Sequence, residues 1–458
     1  MKKISLLVLL CSITLLAGSN PIVRDTNFSA SKITTVENLN HSDQNQWILR
    51  WSGLISTDAF WDTRKAVEGS DGGTFLYPSN VDLDANWVDL NDRTSFNFIA
   101  MNTRLTLKIN APDLFGAKLS GMIEGWFMGV SNNDLNGFAL RHSLIKMNWQ
   151  NTELVIGQTW HPLFTERMFP STVSGNTGAP FQPFGRAPQF RLTQKIAKNN
   201  YVMGYLYAQR DQQSAGLAVT GRSTEYLRNS AIPGMGLQYI IDYQKKKDDR
   251  LIHEIYTGLG IDYKQIVPRL KTQDNIATNK KLKSTSYIAF FHYAYHFDTQ
   301  RKIGIKLKST LAQNTTDLTM IGGYAIKEYD PKKEIDLAED FDYTNLNILS
   351  HLVDLYWIHK KWEFGVLLGA CENLGSWDLI QDYNSPIVYF GTVTQIGKLY
   401  RISPRVKYTH QKLQFAFEPD VTDVLYGTKK TPNGQIDLSA PYHYLRNIRF
   451  LFNITFFF

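Results

Sequence analysis

The sequence predicts an all-β protein: one transmembrane antiparallel β-barrel of about sixteen strands, with short periplasmic turns and long external loops. Three observations predict it. The closing stretch RNIRFLFNITFFF alternates strictly, with Ile448, Phe450, Phe452, Ile454, Phe456 and Phe458 on one face against Asn447, Arg449, Leu451, Asn453 and Thr455 on the other. Similar segments recur along most of the chain, and most are about 10 to 17 residues long, enough to cross a bilayer at a tilt. The connectors alternate between short ones such as QNTE, AKNN and HKKW and long polar ones at 62–93, 163–187, 212–232, 314–344 and 373–398.

In chain order, MKKISLLVLLCSITLLAGS (1–19) has the Lys pair, apolar run and small residues of a secretory signal peptide. Residues 20–46 are polar and aperiodic, and read as a periplasmic lead-in. The barrel is expected over 47–458. Its first strand, WILRWSGLISTDAFW, sets Trp47, Leu49, Trp51, Ile55, Ala59 and Trp61 against Arg50, Ser52, Ser56 and Asp58. Tryptophans near both ends resemble the aromatic girdles of a membrane's two interfaces. The segments at 138–149 and 153–162 alternate poorly, and IVYFGTVTQIG at 387–397 is assigned to a loop. No later stretch supplies the roughly 20 apolar residues of a spanning helix, so a membrane location requires a barrel.

Composition is compatible with this reading. The chain has 458 residues, 13% of them aromatic, including 23 Tyr and 26 Phe, which suits β structure. Its mean hydropathy of -0.27 looks soluble, but alternation hides a barrel from any average. Cys11 falls in the leader and Cys371 is then alone, which excludes an internal disulfide or a Cys-based metal site in the mature chain. Of 49 Lys and Arg, removing Lys2 and Lys3 with the leader leaves 47 against 42 acidic residues. That mild excess favours anions, while its scatter speaks against nucleic acid.

The inward faces carry the strongest functional signal. In LYRISPRVKYTH, Arg401, Arg405 and Lys407 share a face. Arg449 on the last strand, Glu418 on the one before it, Arg50 on the first, and Arg104 with Lys108 on the second extend it into a basic arc. Arg141, Arg191, Lys306 and Lys308 are expected farther round, tempered by Asp58, Glu124, Asp242, Glu254 and Asp262. With Glu418 as the one carboxylate among Arg401, Arg405 and Arg449, the arc is expected to favour anions. The loop 163–187 carries Phe164, Phe169, Phe181 and Phe184, more than a solvated loop needs. It is expected to fold into the barrel and narrow it, with Glu166, Arg167 and Arg186 at the constriction.

Enzyme readings find less support. His142 and Ser143 are neighbours on a strand and point to opposite faces. His292 and His296 share a face but stand about 13 Å apart, too far to ligate one metal directly. GMG at 234–236 and GLG at 258–260 lack the remainder of a dinucleotide fingerprint, and no phosphate-binding GxxxxGK[ST] occurs. No catalytic residue, metal or cofactor is therefore expected.

Several stretches together resemble the DcaP-like porin family of the Gram-negative outer membrane. They are TRLTLKINAPDLFGAKLSGMIEGWFMG, ALRHSLIKMNWQNTELVIGQTWHPLF, GRAPQFRLT, RISPRVKYTHQKLQFAFEPDVTDVLYG and the terminal LRNIRFLFNITFFF, about a third of the chain. Arg186, Gln189 and Arg191 fall on the family's RxPQxR run. The resemblance implies a trimeric sixteen-stranded channel in outer-membrane lipid, passive diffusion, and a preference for small anionic solutes. A terminal aromatic pair, Phe456 and Phe458, is the expected mark for the barrel-insertion machinery. Residues 20–46 lack the apolar heptads of the coiled coil some members carry, so trimerisation would rest on the wall. The rival readings are a surface adhesin or receptor barrel with a blocked lumen, and an outer-membrane hydrolase.

Overall fold

A computed structural model describes residues 47–129, 134–217, 221–392 and 395–458; the expected leader (1–19) and lead-in (20–46) lie outside the described residues. Sixteen strands form the wall. They are β1 (Ile48–Asp62), β2 (Ser95–Ile99, continued by Arg104–Asn110), β3 (Lys118–Trp126), β4 (Ala139–Asn148), β5 (Thr152–Trp160), β6 (Arg186–Ala197), β7 (Asn200–Tyr207) and β8 (Gly234–Lys247). The second half comprises β9 (Arg250–Ile266), β10 (Leu282–His296), β11 (Arg301–Gln313), β12 (Asn347–His359), β13 (Trp362–Gly375), β14 (Ile396–His410), β15 (Leu413–Gly427) and β16 (Tyr442–Phe457).

Each strand pairs antiparallel with its neighbours in sequence, and β16 returns to β1 in a ladder running from Leu54↔Phe457 to Asp62↔Arg449. Closure leaves the wall no free edge, so every wall strand has a ladder partner on both sides. The strand faces follow from the alternation. On β16 the outward Phe450, Phe452, Ile454 and Phe456 are 40–49% exposed, while the inward Asn447, Arg449, Leu451 and Asn453 are at most 7% exposed. An apolar exposed face beside a polar buried one is the reverse of a soluble sandwich.

Short turns gather at one end of the barrel and long loops at the other. In the stretch 387–397, Tyr389–Thr392 leaves the wall to join Gly322–Ile326 and Tyr343–Asn345 in a small three-stranded cap at the loop end, and Ile396 already begins β14. Tyr226, Ile266, Tyr324, Phe341 and Val388 form the apolar core of that cap.

A second apolar core lies inside the barrel. Leu163 and Phe181 from the loop after β5, and Leu318, Met320 and Ile321 from the loop after β11, pack with inward Ile348, Leu352, Leu399 and Val424. A hairpin of Ala66–Gly69 with Thr74–Pro78 contributes Tyr77. Much of the lumen along β6–β15 is thus filled with protein.

Phe458 extends the closing ladder by one more pair. Phe458 N–H donates to Gly53 O and Gly53 N–H donates to Phe458 O, both at 3.1 Å. A Cβ on Gly53 would overlap the Phe458 ring and Arg104 O, so only glycine permits this approach. Deleting Phe458, or replacing Gly53→Val, should lower the yield of heat-modifiable folded barrel in outer-membrane fractions. Wild-type yield and gel mobility in both variants would refute a role for this pair in assembly.

Candidate functional site in the barrel lumen

The inward wall does its most visible chemistry on the loop spanning 161–185. A loop inside a barrel brings backbone N–H and C=O groups away from bulk water, and each then needs a partner. Wall side chains supply them. Lys308 Nζ donates to the carbonyls of Leu163 and Phe164, each at 2.7 Å, and Lys306 donates to that of Phe169. Ser350 donates to Phe181 O, and Arg401 Nη1 to Ala179 O at 2.9 Å. From the opposite polarity, Glu418 accepts from Val173 N at 2.8 Å and Ser174 N at 3.0 Å, and Asp354 accepts from Ser171 N at 3.3 Å.

The four phenylalanines explain the loop's other attachment. Phe164 and Phe181 are fully buried, and Phe164 meets Trp160, Phe169 and Phe184 at ring separations of 4.7, 5.3 and 5.7 Å. At its tip, Arg167 donates to Asp242 and to Glu254, the latter at 2.6 Å, and lies 4.2 Å over the Tyr256 ring. Burial alone lowers the Arg167 pKa, but the two carboxylates outweigh it and hold the value above the ordinary arginine range. Glu166 is half-buried beside it. His161, at the loop's start, is pushed down to about 3 by burial and stays neutral, accepting from Leu163 N through Nδ1.

The basic arc differs from its sequence expectation in one respect. Arg401, Arg405, Lys407 and Arg449 all lie inward and buried, but Glu418 is not the only carboxylate among them. Arg401 pairs with Asp420 at 3.1 Å, and Arg449 with Asp62 at 2.7 Å and Glu68 at 3.2 Å. Arg405 pairs with Asp354 at 2.6 Å and Glu363 at 3.3 Å. Gly365 on β13 makes the last arrangement possible, since a Cβ there would occupy the space of the guanidinium that crosses it. Lys407 donates to Ser171 Oγ at 2.8 Å and stands 3.7 Å from Glu363.

The same arginines also hold the folded-in hairpin, which the sequence reading took for an ordinary polar loop. Arg449 Nη1 donates to Gly72 O at 2.6 Å, Arg401 donates to Leu76 O, and both guanidiniums lie 4.7 Å from the Phe75 ring. The signal for this hairpin was the alternation of Phe75 and Tyr77 in TFLYP. Arg401, Arg405 and Arg449 are therefore paired parts of the scaffold, whereas Arg50, Arg104 and Lys108 of the same arc make no ion pair among the described residues.

A different group of arginines keeps unspent donors. Across β2–β6 near the loop end, Arg104, Arg141 and Arg186 surround the Trp126 ring at 5.8, 4.3 and 4.7 Å, and Arg141 and Arg186 also face Trp160 at 5.4 and 5.5 Å. Glu124 lies 3.1 Å from Arg141 and Asp211 2.7 Å from Arg186, while Arg104 donates to Asn102 Oδ1 at 3.0 Å and has buried Asp58 nearby. Arg104 Nε, Arg141 Nη1, Arg186 Nη1 and Trp126 Nε1 are buried without a hydrogen-bond partner. Half-buried Arg191 lies farther down β6. The arginines were legible in the sequence. Trp126, Trp160 and Asp211 were not, because they meet only through the barrel's curvature.

At the turn end, Arg50 and Lys108 sit directly across the β1–β2 ladder, both exposed and without an ion pair among the described residues. Like charges directly opposite repel, so they stay hydrated. His142 lies inward at a bulge, its Nδ1 3.1 Å from Thr159 Oγ1, and His292 Nε2 is 2.8 Å from Tyr356 Oη.

Removing Arg405 leaves Asp354 and Glu363 without their main counter-charge. Arg405→Gln should destabilise the barrel by about 3–5 kcal/mol, read by urea unfolding in detergent, and leave ion preference almost unchanged. A large shift in reversal potential with unaltered stability would contradict the scaffold role.

No protein-family model matches this chain, and no curated protein matches it. Among solved structures, the outer membrane channel DcaP of Acinetobacter baumannii is similar at 14% identity and a TM-score of 0.58, over 91% of this chain and 99% of that one. The anion-selective porin from Comamonas acidovorans is similar at 10% identity and 0.49, over 90% and 100%.

Proposed function

We propose that this chain is a porin of the Gram-negative outer membrane, through which small hydrophilic, anionic solutes diffuse passively, without catalysis or cofactor. The observation that carries the reading is the group of Arg104, Arg141 and Arg186 around Trp126, with guanidinium N–H groups that no protein acceptor uses. Buried donors of that kind are completed by water or by a visiting anion. The closed barrel with an apolar outer face and a fold shared with a solved outer membrane channel support the location. In this reading the loop 161–185 narrows the lumen, and the water path runs beside β2–β4, away from the apolar core that β6–β15 share with the loops. Exposed Arg50 and Lys108 enrich anions at the periplasmic mouth. Outer-membrane lipid, a homotrimer formed through the wall, and the insertion machinery that reads Phe456 and Phe458 complete the set of partners.

The apolar core inside the barrel favours one rival, a receptor barrel whose lumen does not conduct. Planar-bilayer recording separates the two. A porin gives stepwise ohmic currents and, in a salt gradient, a reversal potential on the anion side; folded protein that never conducts would favour the receptor. Replacing Arg50→Gln, Arg104→Gln and Lys108→Gln together should move that potential toward cations, most at low ionic strength. An unchanged potential would place these three side chains off the ion path.

A further inference from the structure

Away from the lumen, the outer rim of the loop end carries an open cleft of roughly 250 Å³ between the ends of β10 and β11 and the cap. Lys281, Lys283, Gln313, Asn345, Trp377 and Asp378 line it. Its polar floor is held by internal bonds. Asn345 Nδ2 donates to Lys283 O and Asn345 Oδ1 accepts from Ser284 Oγ, both at 2.7 Å. Gln313 accepts from Thr285 N and donates to Asn347 Oδ1, both at 2.9 Å. Asp378 is neutralised by Lys327 at 2.7 Å and accepts from Thr344 Oγ1 at 2.9 Å.

Three groups remain uncommitted. The exposed ammonium groups of Lys281 and Lys283 make no ion pair among the described residues, and the Trp377 indole is 71% exposed. Paired ammonium groups suit a phosphate, and an exposed indole presents a flat apolar face to the C–H face of a sugar ring. The height of the cleft fits the same partner. Lys283 shares the outward face of β10 with Tyr287, which is 49% exposed, and four residues of tilted strand place Lys283 about 10 Å nearer the loop end. That is the level of lipid headgroups.

We propose that this cleft binds a phosphorylated sugar, with Lys281 and Lys283 on the phosphate and Trp377 against the ring. Its source is the phosphorylated glucosamine headgroup of the outer-leaflet glycolipid, or a free sugar phosphate. The first source rests on the outer-membrane location proposed above.

Native mass spectrometry and calorimetry of the purified full chain in detergent test this with three probes: lipid A, lipid A stripped of phosphate, and glucosamine 1-phosphate. Lipid A should bind, its dephosphorylated form should bind at least about tenfold more weakly, and Lys281→Gln/Lys283→Gln and Trp377→Ala should each lose about as much. Binding of glucosamine 1-phosphate as tight as that of lipid A would identify the free sugar phosphate as sufficient. The single variants Lys281→Gln and Lys283→Gln keep the test readable if the pair does not fold. Channel conductance should be unchanged in all of them, because the cleft faces away from the lumen. Equal affinity for phosphorylated and stripped lipid, equal affinity in the variants, or no binding of either phosphorylated probe would overturn the proposal. Conducting protein that binds neither probe would overturn it while leaving the channel reading intact.

Discussion

The structure depends on one requirement: backbone polar groups brought inside a barrel must find partners there. The loop spanning 161–185 places a run of carbonyls and N–H groups against the inner wall, where bulk water cannot serve them. Lys306, Lys308, Ser350 and Arg401 answer the carbonyls, while Asp354 and Glu418 answer the N–H groups. Each wall group is itself costly to bury unpaired, so loop and wall stabilise one another. Neither arrangement is sensible alone.

This requirement decides where free charge can remain. A basic residue most of whose donors are taken up by carboxylates and backbone carbonyls projects little field into a lumen, however far inward it points. Arg401, Arg405 and Arg449 are in that state. Those of β2–β6 gather round Trp126, whose π face accepts several guanidiniums at once. The inward arginines thus fall into two groups: those of β14 and β16 are cross-linked to carboxylates, and those of β2–β6 cluster on aromatic rings.

The outer face obeys the opposite rule. There the apolar side chains of each strand lie exposed, and polarity returns only at the rims, where turns, loops and headgroup-level side chains begin. Lys283 and Tyr287, two outward positions apart on β10, mark that change within one strand. The cap matters because it builds a polar cleft at that boundary from segments distant in sequence.

Period-two alternation is a local property, so the sequence alone determined the barrel, its approximate strand count, and which residues of β1 and β16 face inward. It also determined that the loop with four phenylalanines would not be solvated, since those rings needed somewhere to go. Strand register is local in the same sense, and Arg401, Arg405 and Arg449 lie buried on the face that their alternation indicates. Their partners were not legible. Asp354 reaches Arg405 across an intervening strand only because Gly365 leaves room, and Glu68 and Gly72 reach Arg449 only because a hairpin turns inward. Those contacts depend on curvature, side-chain reach and loop docking, none of which leaves a periodic trace. Tertiary structure alone therefore decided which inward charges pair with carboxylates and which cluster on aromatic rings.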